Sequence, residues 1–168
     1  MLFKKRPREE PEEPSEARAS ARSGPAVLHD ELGLYHLWYL ELRLKQELAR
    51  AARSEGVFTL AAWKLRALPG APSSDEYMRQ AADFIVSSLR AYDIVARVDV
   101  DRIAAILFDA GYEAATTVAF RIKGDLQRRQ PSAGRWLAAV AAFGRDGVDG
   151  DTLIQTIFRR LEADAGAA

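Results

Sequence analysis

The sequence predicts a mixed α+β domain of ferredoxin-like type, a mostly antiparallel sheet with helices packed on one face. Three observations predict it. Apolar residues recur at helical spacing in four separate stretches, within 31–54, 75–91, 111–129 and 151–163. Four short apolar runs, 57–65, 94–98, 103–108 and 136–143, have strand lengths. After the first helix these elements alternate as βαββαβα, the order of a split βαβ core.

Each element has a local justification. In 31–54, Leu37, Leu40, Leu44 and Leu48 fall on one helical face, Asp30 stands at a plausible N-cap, and Gly56 follows the end. Tyr35, Trp38 and Tyr39 widen that apolar face and read as core. Val57–Leu65 is a strand, and Leu68–Ser74, with two prolines and a glycine, is a loop. Asp75–Ala91 is a helix with Met78, Ala82, Ile85 and Leu89 on one side. Ile94–Val98 and Ile103–Phe108 form a hairpin. Gly111–Arg129 is a helix, Trp136–Phe143 a strand, Gly144–Gly150 a glycine-rich turn and Asp151–Ala163 the last helix. No internal repeat interrupts this order.

Composition bounds the function. The 168 residues amount to one domain. Lys+Arg and Asp+Glu are both 24, so no basic excess points to nucleic acid. There is no cysteine, which excludes disulfides, thiolate chemistry and Cys-based zinc sites. No apolar run approaches the roughly 20 residues that a membrane helix needs. Met-Leu-Phe-Lys-Lys-Arg begins basic but no apolar core follows, so it is no secretory signal, and the expected compartment is the cytoplasm.

Residues 1–26 differ from the rest. Lys4, Lys5, Arg6 and Arg8 precede Glu9, Glu10, Glu12, Glu13 and Glu16, with Pro7, Pro11, Pro14 and Pro25 among them. Such a segment buries too little apolar surface to offset chain entropy and reads as a disordered charged tail, with a docking motif as the functional alternative. The folded domain is expected over 27–168.

The stretch from Arg90 to Leu107 resembles the signature region of the GGDEF (diguanylate cyclase) family. Asp99, Val100, Asp101, Arg102 and Ile103 stand where that family has Gly, Gly, Asp or Glu, Glu and Phe. Asp30-Glu-Leu-Gly-Leu is similar to the family's opening motif with one residue lost. Leu40–Arg53, Asp75–Leu89, Asp93-Ile-Val-Ala-Arg97 and Ala119-Phe-Arg121-Ile-Lys123 resemble, in order, its first helix, the helix before the signature, the segment leading into it and the helix after it. The resemblance implies a nucleotide-cyclase-like fold and a bacterial signalling protein.

It also implies a lost activity. Cyclisation of GTP needs metal-borne charge control on the triphosphate. In the family, carboxylates at the end of the first strand and in the signature hold the metal. Here no Asp or Glu occurs from Val57 to Ser74, and Arg102 reverses the charge at the signature Glu. Lys64 is long enough to reach a phosphate but cannot replace a magnesium ligand. The guanine-reading Asn-Asp is absent, and Val100 suits a tight turn poorly if positive φ is needed. The expectation is therefore a degenerate domain that is not an enzyme, with no catalytic residues, no metal site and no cofactor.

What remains is a ligand site. Arg90-Ala-Tyr-Asp93 matches the family's inhibitory Arg-x-x-Asp, ending five residues before the signature. The resemblance implies that Arg90 and Asp93 bind cyclic di-GMP, with Arg121 of the neighbouring helix in support. The chemistry is sound: Arg donates two parallel hydrogen bonds to guanine O6 and N7, and a carboxylate accepts from the N1–H and amino group. A helix-end Arg and a turn Asp are the bland alternative. His29 and His36, seven apart, lack further ligands. Asp146-Gly-Val-Asp149-Gly-Asp151 lacks the acidic twelfth residue of a calcium loop, Ile157 standing there, and reads as a turn and N-cap.

The leading expectation is a catalytically inactive cyclic di-GMP receptor and signalling effector, in which the ligand bridges two copies or changes which partner docks. The alternative is a nucleotide-independent protein-interaction scaffold using the first helix or the tail. Neither nucleic-acid binding nor membrane insertion is expected.

Overall fold

The computed structural model describes residues 28–70 and 74–166. The expected tail, 1–26, lies outside the described residues, as does part of the Leu68–Ser74 loop. The elements are β1 (Tyr35–His36), α1 (Leu37–Ser54), β2 (Phe58–Ala67), α2 (Ser74–Ser88), β3 (Ile94–Asp99), β4 (Arg102–Phe108), α3 (Tyr112–Arg129), β5 (Gly134–Ala142) and α4 (Gly150–Gly166). The mixed α+β class and the order of elements from the first helix onward are as the sequence predicts; β1 is an addition, formed by residues expected in that helix.

The strands form one sheet in the order β1-β3-β4-β2-β5. Only β1 is parallel to its neighbour, with Tyr35 opposite Ala96. The β3–β4, β4–β2 and β2–β5 pairs are antiparallel.

Helices cover both faces of this sheet, which corrects the expectation of one. Met78, Ala82 and Ile85 of α2 pack with Ala115, Ala119 and Ile122 of α3 on the face carrying Trp63, Ile103 and Trp136. Leu40 and Leu44 of α1 pack with Leu153, Ile157 and Leu161 of α4 on the face carrying Leu60, Ile106 and Leu137. Two covered faces need strands without polar alternation. That is what Phe58-Thr-Leu-Ala-Ala-Trp63 and Leu137-Ala-Ala-Val-Ala-Ala142 supply, and every residue of both runs is buried. Trp63 donates its indole N–H to the Ala119 carbonyl at 3.0 Å, and Trp136 donates to Gln130 Oε1 at 3.1 Å, so both rings are buried without an orphaned polar atom.

The first helix begins at Leu37, six residues later than its periodicity suggested. Asp30 is not its N-cap. Its carboxylate instead accepts the amides of Leu32 and Leu34, at 3.0 and 2.9 Å, in a turn that leads into β1. Arg97 of β3 holds that turn, with Nη1 at 2.6 Å from Glu31 Oε1 and 3.7 Å from Asp30 Oδ2. Tyr35 and Tyr39 stack at 4.4 Å against the core, whereas Trp38, read from sequence as core, is 46% exposed.

The hairpin turn accommodates Val100 without positive φ, which among non-glycine described residues occurs only at Glu55 and Asp109. An irregularity between Arg97 and Asp99 shifts the register, and Asp99 Oδ1 accepts the Val100 amide at 2.8 Å. The bulge and this side-chain bond replace the conformational freedom that glycines would give.

Candidate ligand cavity at the start of the hairpin

Helix α2 stops at Ser88, short of the expected Ala91. The hydroxyls of Ser87 and Ser88 both donate to the Phe84 carbonyl, at 2.9 and 2.7 Å, which draws the last turn's acceptor into side-chain bonds. Arg90 therefore lies in the loop beyond the helix, not in its last turn. The loop closes as a turn in which the Asp93 amide donates to the Arg90 carbonyl at 3.1 Å. The Asp93 carboxylate accepts the Arg90 amide at 3.0 Å and, from β4, the Phe108 amide at 3.2 Å. Asp93 is thus fixed to the hairpin on one side and to its own turn on the other.

Arg90 is free of Asp93 at the side-chain level. Its Nη1 donates to the Tyr92 hydroxyl at 2.9 Å, and its guanidinium carbon lies 5.8 Å from the Tyr92 ring centroid. Partial burial raises the Asp93 carboxyl above the usual carboxylate range, opposed by the two amide hydrogen bonds and the charge of Arg90. A carboxylate with unspent acceptor capacity and a guanidinium held by one neutral hydroxyl are both available to a ligand.

The three residues expected from sequence line one open cavity of about 190 Å³, with Arg90 and Asp93 on the loop and Arg121 on α3. Its apolar wall is Leu107, Ala115 and Val118. Lys123 is not part of it; its ammonium lies 5.3 Å from the Phe120 ring. Sequence reasoning passed over Tyr92, although it stands inside the Arg-x-x-Asp motif and holds the motif's Arg.

The other end of the hairpin carries a second charged cluster. Lys64 of β2 and Arg102 of β4 are cross-strand partners. Both donate to Glu162 Oε1 of α4, at 2.7 and 2.8 Å. Asp101 Oδ2 lies 4.0 Å from Lys64, and Asp101 Oδ1 lies 3.4 Å from Arg102 Nε. The turn thus presents cations among its carboxylates, which is not the all-oxygen donor set that a magnesium ion takes. Among the described residues no three His, Asp or Glu side chains converge as metal ligands. Elsewhere, the His29 ring packs against Tyr35, tilted, with centroids 4.4 Å apart. Asp146 accepts from the Ala142 amide and from Arg160, and Asp149 caps the Thr152 amide at 2.8 Å, so the 146–151 segment is the expected turn and N-cap.

The sequence profile of the family described as "Diguanylate cyclase, GGDEF domain" matches residues 27–135. The chain belongs to the GGDEF family. Solved structures agree on the fold. A sensory box/GGDEF family protein from Caulobacter crescentus is 20% identical over 84% of this chain and 99% of that one, with a TM-score of 0.68. The GGDEF domain of DgcB from the same organism, solved in complex with c-di-GMP, is 16% identical over 83% of this chain and 91% of its own, with a TM-score of 0.72. The diguanylate cyclase SiaD of Pseudomonas aeruginosa, solved in complex with its activator SiaC, is 20% identical over 90% of this chain and 62% of its own, at 0.71. No curated protein sequence matches.

Family membership overturns the expectation that this chain is not an enzyme. The match runs through the signature hairpin into β5, and the family is described by its cyclase activity. The departures at 99–103 are real, but they do not remove the chain from that family. The turn keeps the family's hairpin form, since the bulge closes it without the glycines. Among the described residues no helix is long and apolar enough to cross a membrane.

Proposed function

We propose that this GGDEF-family protein binds cyclic di-GMP in the cavity at the start of the hairpin, as a receptor site in bacterial signalling. The observation that carries the reading is the convergence of Arg90, Asp93 and Arg121 on one cavity from two separate elements. Arg90 presents the guanidinium fork to the O6/N7 edge of a guanine, Asp93 accepts from its N1–H and amino group, and Arg121 faces a phosphate or the second base. Leu107, Ala115 and Val118 supply the apolar wall for the base plane. The likeness to a c-di-GMP-bound GGDEF domain supports the fold in which such a site is built.

At about 190 Å³ the cavity is smaller than the roughly 300–1,000 Å³ typical of sites that enclose a whole ligand. It takes one end of a dinucleotide and leaves the rest exposed. That geometry favours a ligand that bridges two copies of the chain or the chain and a protein partner. Trp38 and Leu42, one helical turn apart on α1 and 46% and 43% exposed, favour a protein partner on the opposite side of the molecule as a second reading.

Calorimetric titration with cyclic di-GMP, with Mg-GTP in parallel, tests the proposal. Micromolar or tighter binding of the dinucleotide that weakens by about 1–3 kcal/mol in Arg90→Ala supports it. Absence of binding to the native protein, or equal binding by Arg90→Ala, overturns it. The Mg-GTP arm, followed for product, measures turnover independently of the receptor site.

A further inference from the structure

Helix α1 turns one side to the core and leaves the other uncovered by any described residue. Leu40, Leu44 and Ala51 are buried against the sheet and α4, while Trp38, Leu42, Lys45 and Ala49 stand exposed. Positions 38, 42, 45 and 49 form one narrow stripe along a helix. Glu41 and Gln46, also exposed, border it. Glu41 and Lys45 carry opposite charges, yet neither makes an ion pair with another described residue. α1 packs on the face of the sheet opposite the apolar wall of the Arg90 cavity, so the stripe is separate from the dinucleotide site.

We propose that this stripe docks a second copy of the chain, helix to helix in antiparallel order about a two-fold axis. The proposal rests on the reading of Trp38 and Leu42 as a patch for a protein partner, and it names that partner.

The stripe is complementary to itself. In an antiparallel pair centred between Arg43 and Leu44, Trp38 of one copy lies opposite Ala49 of the other, Leu42 opposite the Lys45 stem, and Glu41 opposite Gln46. The largest side chain thus meets the smallest. Trp38 enters the space between Leu42, Lys45, Gln46 and Ala49 of the second copy, whose i, i+3, i+4, i+7 spacing is that of a hole for a knob. Every contact repeats across the axis, as an isologous interface requires. Glu41 stands one residue's step from Lys45 of the second copy, so charges left unpaired within one chain gain partners at the rim of the pair. Parallel pairing in register would instead set Glu41 against Glu41 and Lys45 against Lys45. A buried Trp anchor is the side chain that most often dominates such a contact. The helix offers far fewer residues than the roughly 20–30 a side of a standard interface, so the pair is a weak one, in the micromolar range.

Sedimentation equilibrium of the full chain without nucleotide, over about 5–500 µM, tests the pairing. The native chain is expected to pass from monomer to dimer as concentration rises. Leu42→Glu, at an exposed site, is expected to raise the dissociation constant at least about ten-fold while leaving the melting temperature of the monomer unchanged. Glu41→Lys or Lys45→Glu alone sets like charges against each other and should weaken the dimer about five-fold; the two together restore opposite charges and should return it to within about two-fold of native. Failure of the double variant to recover overturns the antiparallel order. A native chain that stays monomeric overturns the pairing and leaves a different protein as the occupant of Trp38 and Leu42. A dimer indifferent to Leu42→Glu overturns it too, and takes the patch out of either reading. A dimer that forms only with cyclic di-GMP belongs to the Arg90 cavity and likewise overturns it.

Discussion

The Phe108 amide donates to the Asp93 carboxylate at 3.2 Å, joining the last residue of β4 to the residue just before β3. One side chain thus closes the open end of the hairpin and also lines the cavity where a guanine is proposed to bind. Structure and recognition compete for the same two oxygens, and the consequences are measurable.

Asp93 makes ligand binding pH-sensitive. Its carboxyl is raised above 3.8, mainly by burial, so the folded chain holds this proton more tightly than the unfolded chain. The group's contribution to stability is complete below the unfolded value and is lost as pH rises through the folded one. Guanine recognition needs the ionised form, so affinity for cyclic di-GMP is expected to fall on acidification at a higher pH than an ordinary Asp would give. Asp93→Asn keeps an acceptor for Phe108 but cannot accept from both guanine donors. Its amide nitrogen cannot accept the Arg90 N–H, so its melting temperature at pH 7 should fall by a few degrees, while its affinity drops at least about ten-fold. Calorimetry from pH 4.5 to 8 and thermal melts check both parts.

Arg90 should be irreplaceable by Lys, whereas the Tyr92 hydroxyl should be dispensable. The Tyr92 oxygen accepts one guanidinium N–H, and a guanine edge would take its place. Tyr92→Phe keeps the ring and is expected to change dinucleotide affinity by less than about ten-fold, the range of a single neutral hydrogen bond. Arg90→Lys loses the fork and should cost about 1–3 kcal/mol. A larger loss in Tyr92→Phe than in Arg90→Lys would mean that Tyr92, not Arg90, reads the ligand.

Gln130, just past the end of α3, ties α2 to β5. Its Oε1 accepts the Trp136 indole N–H and its Nε2 donates to the Tyr77 carbonyl at 3.0 Å, and the residue is itself buried. Gln130→Ala strands both partners away from water and should destabilise the domain by about 2–4 kcal/mol. Urea denaturation followed by tryptophan emission reads this, since Trp63 and Trp136 are both buried in the folded domain.

Gly134 opens β5 at φ +129°, and a Cβ there would lie 2.2 Å from the Arg66 carbonyl oxygen. Gly134→Ala is expected to cost about 2–3 kcal/mol through backbone strain and displacement of the β2 end. Gly144→Ala is also at positive φ but has open space around the added carbon, so it should cost less. Comparing the two urea midpoints separates close approach from conformation.

Local chemistry is what the sequence displays, and the elements that depend on it were legible. The α3 range, the β3–β4 hairpin and its two-residue turn follow from apolar period and turn residues, because each is decided by neighbours along the chain. So was the turn that brings Arg90 and Asp93 together, since it is made by four consecutive residues. Arg121 was singled out by the family frame alone, and it lines the same cavity as Arg90 and Asp93. The start of α1 was misplaced because Asp30 offers the same carboxylate to a loop amide as to a helix amide, and only the docking of Arg97 and β1 selects the loop.

The sequence by itself determined the α+β class and the order of the elements from the first helix onward, because period, turn chemistry and short-range motifs are written in consecutive residues. Tertiary structure alone decided that helices cover both faces of the sheet, that Trp38 stays exposed, and that Glu162 reaches Lys64 across 98 residues of chain. These outcomes depend on which apolar faces meet in space. Lys64, Arg102 and Glu162 are three ordinary charges in the sequence; they become one ion-paired cluster only because β2, β4 and α4 bring them together.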